Sequence, residues 1–478
     1  MNRTLAAAAA AALIPLGAGC TVAGNASGGG GSDQIVVGYQ SKTINTVTAG
    51  TLLRSLGYFE KRLKDLGKAD GKKYSVVWQD YDTGAPITAQ MLAGKIDIGS
   101  MGDYPLLING SRSQAQGGDA RTEMVAVTGY NLRGSLNGVV VGNGSKAASL
   151  RDLKGRTVSA SVGSAGHGTL VQAARRYGLD PAKDLKVENQ QPTVGASALQ
   201  AGSAAGLAQF VAWPGLLVQK GQARLLYDGG GLNVPTFHGV VVRKEFAEER
   251  TKVLRAFLGA QIDATRSLHA DPVKAAESVA SSTGLPAETV YLYNGAGGVA
   301  TFDPTVKKRL RDALAQDVPF LKSIGVIQTP LDVGPFINDA YIKQAYGSSY
   351  ERDAASTANP AAINGTDAVC KKKVDDPAAA GEVWVTGETK TRPVAGPVCL
   401  LKNVRALQAE KKQIRAAYIP DATTGTRWFA DKDVWVEDPS AGAAKRFVPF
   451  ATQEAADKYI SAHSGAKVVP YGEAVRRA

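Results

Sequence analysis

Short β-branched runs alternate with helical stripes of apolar residues from position 34 to about 346. Residues 35–39 form the first run. Apolar side chains then recur three and four positions apart over 52–66, which predicts one amphipathic helix. The rhythm returns at 96–98, and residues 245–269 predict a single long helix. Strands that alternate with helices in this way predict an α/β fold built on parallel sheets.

The pattern changes near residue 347. Residues 347–367 are polar, small and without periodicity, which predicts a linker. Beyond them, residues 368–478 predict a small α+β domain with one amphipathic helix over 453–462. The strands expected in this domain are 383–386, 426–429, 434–436, 447–450 and 467–469.

The first twenty residues have the features of a secretion signal. Arg3 precedes an apolar run over 5–16 that is too short to span a bilayer, and Leu-Gly-Ala-Gly-Cys follows, ending at Cys20. This ending resembles the bacterial lipobox, in which the cysteine receives a diacylglycerol, although Gly17 stands where the lipobox prefers Leu. The alternative is an ordinary signal peptide with an incidental cysteine. Residues 21–33 are rich in Gly and Ser and predict a flexible tether.

Composition argues against several classes of protein. The 478 residues carry a formal net charge of +12, but the basic residues are scattered, without the interleaved aromatics that bind nucleic acid. There is no Gly-x-Ser-x-Gly elbow and no phosphate loop, and the four histidines lack metal-ligand spacing. We therefore expect no enzyme activity, no cofactor, no metal and no nucleic-acid partner. If Cys20 is lipidated, Cys370 and Cys399 remain, and such a pair in an exported domain predicts a disulfide.

One phrase is specific enough to suggest a family. Residues 90–105 read Gln-Met-Leu-Ala-Gly-Lys-Ile-Asp-Ile-Gly-Ser-Met-Gly-Asp-Tyr-Pro, and this run resembles the nitrate, sulfonate and taurine-binding family of ABC-importer solute-binding proteins. Residues 37–40, 161–170 and 208–214 match further phrases of that family in the same order. Ala208 departs from the pattern, because the family often has Asp there. The resemblance covers about 310 residues.

The resemblance implies a two-lobed, periplasmic-binding-protein-like clamp of type II. Lobe one would comprise about 34–130 and 235–346, and lobe two about 131–234. The implied function is capture of a small, anionic solute and its delivery to the permease of an ABC importer. The protein would be a monomer that a lipid anchor holds at the extracytoplasmic face of the cell membrane. Fungal pyrimidine synthases are distant relatives of this fold, so a pyrimidine-precursor binding protein is an alternative.

The residues themselves indicate where a ligand would bind. Glycines and Ser164 before a helix leave N–H groups unpaired, which favours an anion at the turn over 161–169. His167 would contact the ligand or cap the helix, Asp103 would contact the ligand or hold a hinge, and Trp213 would form a wall or belong to the core. The candidate ligand-binding residues are Gln40, Lys42, Ser100, Gly102, Asp103, Tyr130, Gly163, Ser164, His167 and Trp213.

The C-terminal domain resembles the NosL family, lipoproteins associated with copper delivery. The matching phrases surround Cys370 and Cys399 and continue over 428–431 and 447–452. The family commonly follows its first cysteine with Gly-Met, whereas Lys371 follows here and the domain contains no Met at all. The alternative function, copper handling through this domain, therefore lacks the soft sulfur ligands that Cu(I) prefers. The resemblance leaves the two cysteines available for the disulfide.

Overall fold

The computed structural model describes residues 32–478. The predicted signal peptide with Cys20, and most of the predicted tether, lie outside the described residues. Within 32–478, no helix combines the length and apolarity that crossing a bilayer needs. The following element names are used throughout.

The strands in the described part of the chain are β1 (Asp33–Tyr39), β2 (Tyr74–Asp80), β3 (Ile98–Gly102), β4 (Thr122–Asn131), β5 (Asn137–Gly142), β6 (Thr157–Ala160), β7 (Lys186–Asn189), β8 (Gly206–Phe210), β9 (Ala223–Asp228), β10 (Thr236–Arg243), β11 (Thr301–Phe302), β12 (Gly365–Thr366), β13 (Lys373–Val374), β14 (Gly381–Val385), β15 (Arg392–Val394), β16 (Ile414–Pro420), β17 (Arg427–Phe429), β18 (Val434–Glu437), β19 (Phe447–Phe450) and β20 (Lys467–Val469). The helices are α1 (Thr51–Leu56), α2 (Tyr58–Asp70), α3 (Gly84–Leu92), α4 (Asp103–Gln116), α5 (Ala165–Arg176), α6 (Pro181–Asp184), α7 (Pro192–Gln200), α8 (Trp213–Gln219), α9 (Lys244–Glu249), α10 (Thr251–Ala270), α11 (Pro272–Thr283), α12 (Ala287–Asn294), α13 (Lys308–Ser323), α14 (Val333–Phe336), α15 (Ala340–Tyr346), α16 (Tyr350–Ala355), α17 (Pro397–Ala409), α18 (Gln453–Ala462) and α19 (Tyr471–Arg477).

Two mixed sheets form the main body. The first sheet has the strand order β11-β4-β10-β3-β1-β2, in which β1 runs parallel to β2 and β3, and β10 runs antiparallel to β3 and β4. The second sheet has the order β7-β6-β8-β5-β9, with β6 parallel to its neighbours and β5 antiparallel to its own. The parallel strand pairs expected from the sequence are present in both sheets, but β10 and β11 in the first sheet and β5 in the second run against the other strands.

The chain passes between the two sheets twice. Residues 132–136 connect β4 to β5, and residues 229–235 return from β9 to β10. We call these two segments the hinge crossovers. The predicted α/β fold class is borne out in this arrangement, with two sheet-centred lobes followed by a C-terminal α+β domain.

The C-terminal domain contains two small antiparallel sheets, β15-β14-β16-β17 and β19-β18-β20. Helix α18 and strand β20 coincide with the predicted segments 453–462 and 467–469. The elements of this domain that were not predicted are β13, β15, β16, α17 and the last helix, α19. Helix α17 carries Cys399 and buries Leu400, Leu401 and Val404 against β14 and β16.

Local conformation explains where other predictions differ from the structure. The helix predicted over 52–66 is two helices, because Gly57 adopts the left-handed conformation at φ 63° and ends α1. The helix predicted over 245–269 is likewise divided at Arg250 into α9 and α10. The segment 347–367, expected to be a linker, contains α16, and its Tyr350 is buried and donates to Asp339 Oδ2 at 2.9 Å.

Candidate functional site

A cavity of about 400 Å³ lies between the two sheets. Its lining comes from the carboxyl ends of strands and the segments that follow them, where open α/β sheets place their ligands. Gln40 follows β1, Gly102 ends β3, Ser161 follows β6 and Phe210 ends β8. Residues from both sheets therefore enclose one volume, as expected of a clamp.

Helix α3 begins at the cavity wall. Thr83, Gly84 and Ala85 line the cavity, and the backbone N–H groups of Gly84 and Ala85 have no acceptor among the described residues. The Thr83 side chain makes no capping hydrogen bond, so these donors remain available to a ligand. A side chain at position 84 would place its Cβ 2.6 Å from Pro105 Cβ, so glycine permits α3 to approach α4 closely. The sequence analysis did not select these residues.

Helix α5 begins on the opposite wall. The segment 161–165 lines the cavity, and Gly163 turns there with φ 88°. Ser164 Oγ accepts from His167 N at 3.2 Å, whereas the N–H groups of Gly163 and Ala165 have no acceptor among the described residues. With the positive end of the helix dipole, these donors suit an anionic group. The structure thus places Gly163 and Ser164 in the cavity wall, where the sequence analysis expected an anion.

His238 forms part of the floor, beside Gly102. Burial lowers the pKa of His238 to about 3, so the ring is neutral at pH 7. Asn45 Nδ2 donates to its Nδ1, which assigns the remaining proton to Nε2. A Cβ at Gly102 would lie 3.0 Å from Nε2, so glycine keeps this N–H donor close to the cavity. His238 is not among the ligand-binding residues predicted from the sequence.

Among the described residues that line the cavity, Arg112 is the one with a charged side chain. It is exposed on α4, two turns after Pro105 and one turn after Ile108, and no carboxylate accompanies it in the lining. The spacing of 105, 108 and 112 on one helix face could have identified this residue from the sequence. A free guanidinium with several N–H donors gives the cavity a positive character.

Six of the ten predicted residues do not line this cavity: His167, Trp213, Tyr130, Lys42, Ser100 and Asp103. His167 faces an outer groove with Arg175, Trp213 is buried in the core beside α8, and Tyr130 is buried with its ring 5.7 Å from Lys307 Nζ. Lys42 does not contribute to the lining. Trp213 therefore belongs to the core, the second of its two predicted alternatives, and His167 contributes its backbone N–H to the Ser164 cap.

Ser100 and Gln40 are linked behind the wall. Gln40 lines the cavity, and its Nε2 donates to the Ser100 carbonyl at 3.2 Å. Ser100 itself is buried and does not line the cavity. Its contribution to a site is therefore to position Gln40.

Asp103 holds the hinge region. Its Oδ2 accepts from Thr236 Oγ1 at 2.7 Å and from Phe237 N at 3.2 Å, and its Oδ1 accepts from Tyr104 N. Burial raises the pKa of Asp103, and burial together with the charge of Asp103 raises the pKa of Asp317 nearby. The hinge alternative predicted for Asp103 is the one that the geometry matches.

The helices that accompany the two sheets also contact each other beside the cavity. Gln172 Nε2 on α5 donates to Tyr104 Oη on α4 at 2.9 Å. A Cβ at Gly163 would lie 3.3 Å from Ile108 Cδ1, so α5 and α4 meet again at the cavity wall. The described arrangement is therefore a closed clamp.

Cys370 and Cys399 are bonded in the C-terminal domain, with their Cα atoms 5.9 Å apart. The buried Asp367 carboxylate lies beside them. Its Oδ1 accepts from Val369 N, Cys370 N and Asn403 Nδ2, and its Oδ2 accepts from Ala395 N. Asp367 therefore organises the loop that carries Cys370.

Residues 113–275 match the family described as NMT1/THI5 like. The taurine-binding periplasmic protein of Escherichia coli strain K12 is 25% identical over 240 residues, covering 49% of this chain and 70% of that protein. A putative aliphatic sulfonates-binding protein of the same strain is 25% identical over 257 residues, covering 54% of this chain and 74% of its own.

The fold has a counterpart among solved structures. The alkanesulfonate-binding protein SsuA of Xanthomonas axonopodis pv. citri, bound to MOPS, superimposes with a TM-score of 0.53 at 20% identity, covering 65% of this chain and 99% of that chain. These curated relatives are solute-binding proteins rather than enzymes. The NosL resemblance of the C-terminal domain remains a prediction. The resemblance of the main body to the nitrate, sulfonate and taurine-type solute-binding proteins is thus confirmed, as is the two-lobed fold that it implied.

Proposed function

We propose that this protein is an extracytoplasmic solute-binding protein of an ABC importer that captures a small organic anion of the sulfonate type. The observation that carries the proposal is the 400 Å³ cavity in which Arg112 is the one charged side chain among the described lining residues. The N–H donors at the starts of α3 and α5 face the same cavity. The protein would perform no chemical step, and its closed, loaded form would be what a permease binds.

The residues that line the cavity also restrict which chemical groups can accompany the anionic group of the ligand. Pro105, Ile108, Phe210 and Val326 supply apolar surface, which suits a hydrocarbon or ring attached to the anionic group. Residues 32–478 contribute no carboxylate to the cavity lining, so an ammonium group would lose its hydration there without a counter-charge from them. We therefore propose an alkyl or aryl sulfonate in preference to a zwitterion such as taurine.

Arg112→Gln is expected to weaken binding of an alkanesulfonate or of MOPS by about tenfold, or roughly 1.4 kcal/mol, because the cavity loses its cation. Titration calorimetry with hexanesulfonate and MOPS would measure this, after a thermal-shift screen that includes taurine and nitrate. Arg175→Gln is the matched control, since Arg175 is an exposed arginine that lines the outer groove instead. Equal losses in the two variants, or an absence of sulfonate binding to the wild type, would refute this assignment.

We further propose that Cys20 carries a lipid that holds the protein at the outer face of the cell membrane. The support is the Ala-Gly-Cys ending of the apolar run and the Gly- and Ser-rich residues after it. Metabolic labelling with an alkyne fatty acid is expected to mark the wild type and not Cys20→Ala. Release of unlabelled wild type into the medium would contradict the anchor.

A further inference from the structure

The C-terminal domain contacts both hinge crossovers through one residue, Thr426. Its hydroxyl donates to Asp228 Oδ2 at 2.5 Å, and Ser135 Oγ lies 2.6 Å from the same hydroxyl oxygen. Ser135 belongs to the first crossover, and Asp228 ends β9, where the second crossover begins. All three side chains are buried. One side chain thus links the two segments about which the lobes would turn.

The crossovers are packed tightly at this point. A Cβ at Gly134 would lie 2.9 Å from the Gly229 carbonyl oxygen, so the two crossover backbones touch. A Cβ at Gly230 would lie 3.1 Å from Thr426 Oγ1. Glycines therefore allow the C-terminal domain to approach the hinge backbone itself.

The same domain is attached to the side of the first sheet. Arg415 on β16 pairs with Glu288 at 2.7 Å and with Glu277 at 2.9 Å, which lie on α12 and α11. Helix α11 is joined to α1 of the first lobe through Ser278 and Ser55, whose hydroxyls lie 3.2 Å apart. Through α11, these contacts fix the domain to the first lobe, whereas α12 also contacts α8 of the second lobe, where Gly215 N donates to Tyr293 Oη at 3.1 Å.

A separate contact reaches the second sheet. Tyr177, the residue that follows α5 and caps its C-terminus, donates its hydroxyl to Glu454 Oε2 on α18 at 2.6 Å. Its ring packs edge-on against Tyr227 of β9, with the centroids 6.0 Å apart. The C-terminal domain is therefore attached to both lobes and to the axis between them.

We infer that the C-terminal domain is a brace that binds the hinge and restrains opening of the clamp. Opening would rotate α5, with Tyr177, relative to α11 and α12. The Tyr177–Glu454 contact and the Arg415 contacts would be strained by such a rotation, because the C-terminal domain makes both of them. The brace therefore favours the closed arrangement even without a ligand, and its loss shifts the population toward the open one.

Pulsed EPR on the full chain without ligand tests the brace. Spin labels on unnatural amino acids at positions 82 and 194, both exposed and each close to cavity-lining residues of a different sheet, leave the disulfide intact. Thr426→Val removes the hydroxyl that contacts Asp228 and Ser135, and Tyr177→Phe removes the one hydrogen bond to Glu454. Each is expected to raise the ratio of long to short distances roughly two- to tenfold, the effect of losing about one hydrogen bond.

Thr423→Val is the matched control, because Thr423 is exposed in the same turn and its side chain makes no contact with the hinge. It should retain the wild-type distribution. Tyr177→Phe keeps the ring packing and decides the question if Thr426→Val does not fold. A wild-type distribution in Tyr177→Phe, or an equal shift in Thr423→Val, would overturn the brace.

Discussion

Arg427→Met is expected to destabilise the C-terminal domain by about 3–5 kcal/mol, the usual cost of breaking a buried ion pair from one side. Arg427 Nη2 lies 2.7 Å from Glu382 Oε2, and the two side chains are only 3% and 5% exposed. The guanidinium also packs over the ring of Tyr418, with 4.4 Å to its centroid, and donates to the Ala296 carbonyl. Without the arginine, the buried Glu382 carboxylate would lose its cationic partner.

Hydroxyl donors only partly compensate that charge. Thr391 Oγ1 donates to Glu382 Oε1 at 2.6 Å, and Tyr291 Oη lies 3.1 Å from Oε2. Neutral donors of this kind are worth less than a guanidinium to a carboxylate. In Arg427→Met/Glu382→Gln, the second substitution removes the carboxylate that has lost its partner. The double variant is therefore expected to recover a large part of the lost stability.

Urea unfolding followed by tryptophan fluorescence measures this effect, because Trp384, Trp428 and Trp435, three of the five tryptophans, lie in the C-terminal domain. Lys308→Met is the matched control, since it removes the cation of the exposed pair with Asp312, whose side chains are 84% and 47% exposed. Exposed pairs contribute about 0–1 kcal/mol. A loss in Arg427→Met no larger than in Lys308→Met would contradict the assigned role of the buried pair.

Local sequence was sufficient for the parts of the site that depend on neighbouring residues. Gly163 and Ser164 could be predicted because a glycine turn and a serine cap before a helix are encoded within a few positions. Gln40 and Gly102 followed from strands that end in polar or small residues. These four residues line the cavity as the sequence analysis expected.

Residues whose role depends on distant contacts were missed or misplaced. His238 becomes a neutral donor because burial and Asn45, 193 positions away, fix its protonation state. Trp213 has an aromatic ring that fits a cavity wall or a core equally well, and only packing against α12 and its neighbours places it in the core. Sequence periodicity could not separate these cases.

Strand direction could not be predicted from the sequence for a similar reason. Strands β4 and β10 are buried along almost their whole length, as parallel strands are, yet they pair antiparallel. Their direction follows from the order in which the chain leaves the first sheet and returns to it. That order depends on the crossovers, whose pairing is long-range.

Cys370 and Cys399 are expected to contribute no free thiols when the protein is isolated without reductant. Cys370 and Cys399 are bonded across a separation of 29 residues, and the proposed extracytoplasmic location favours the oxidised pair. Loss of the cross-link in Cys370→Ser/Cys399→Ser is expected to cost roughly 3–4 kcal/mol in the loop-entropy account. Unfolding of the double variant, compared with the wild type in the absence and presence of reductant, measures this value.

The same bond decides whether this domain can hold copper. A disulfide has no thiolate to offer a metal, and the nearby Asp367 carboxylate already accepts four N–H donors that a metal would have to displace. Lys371 and Lys372 add positive charge next to Cys370, which disfavours a cation. A thiol count paired with a Cu(I) competition titration tests the prediction. No thiols and no stoichiometric binding are expected, whereas two thiols with tight, stoichiometric Cu(I) binding would restore a metal role to the domain.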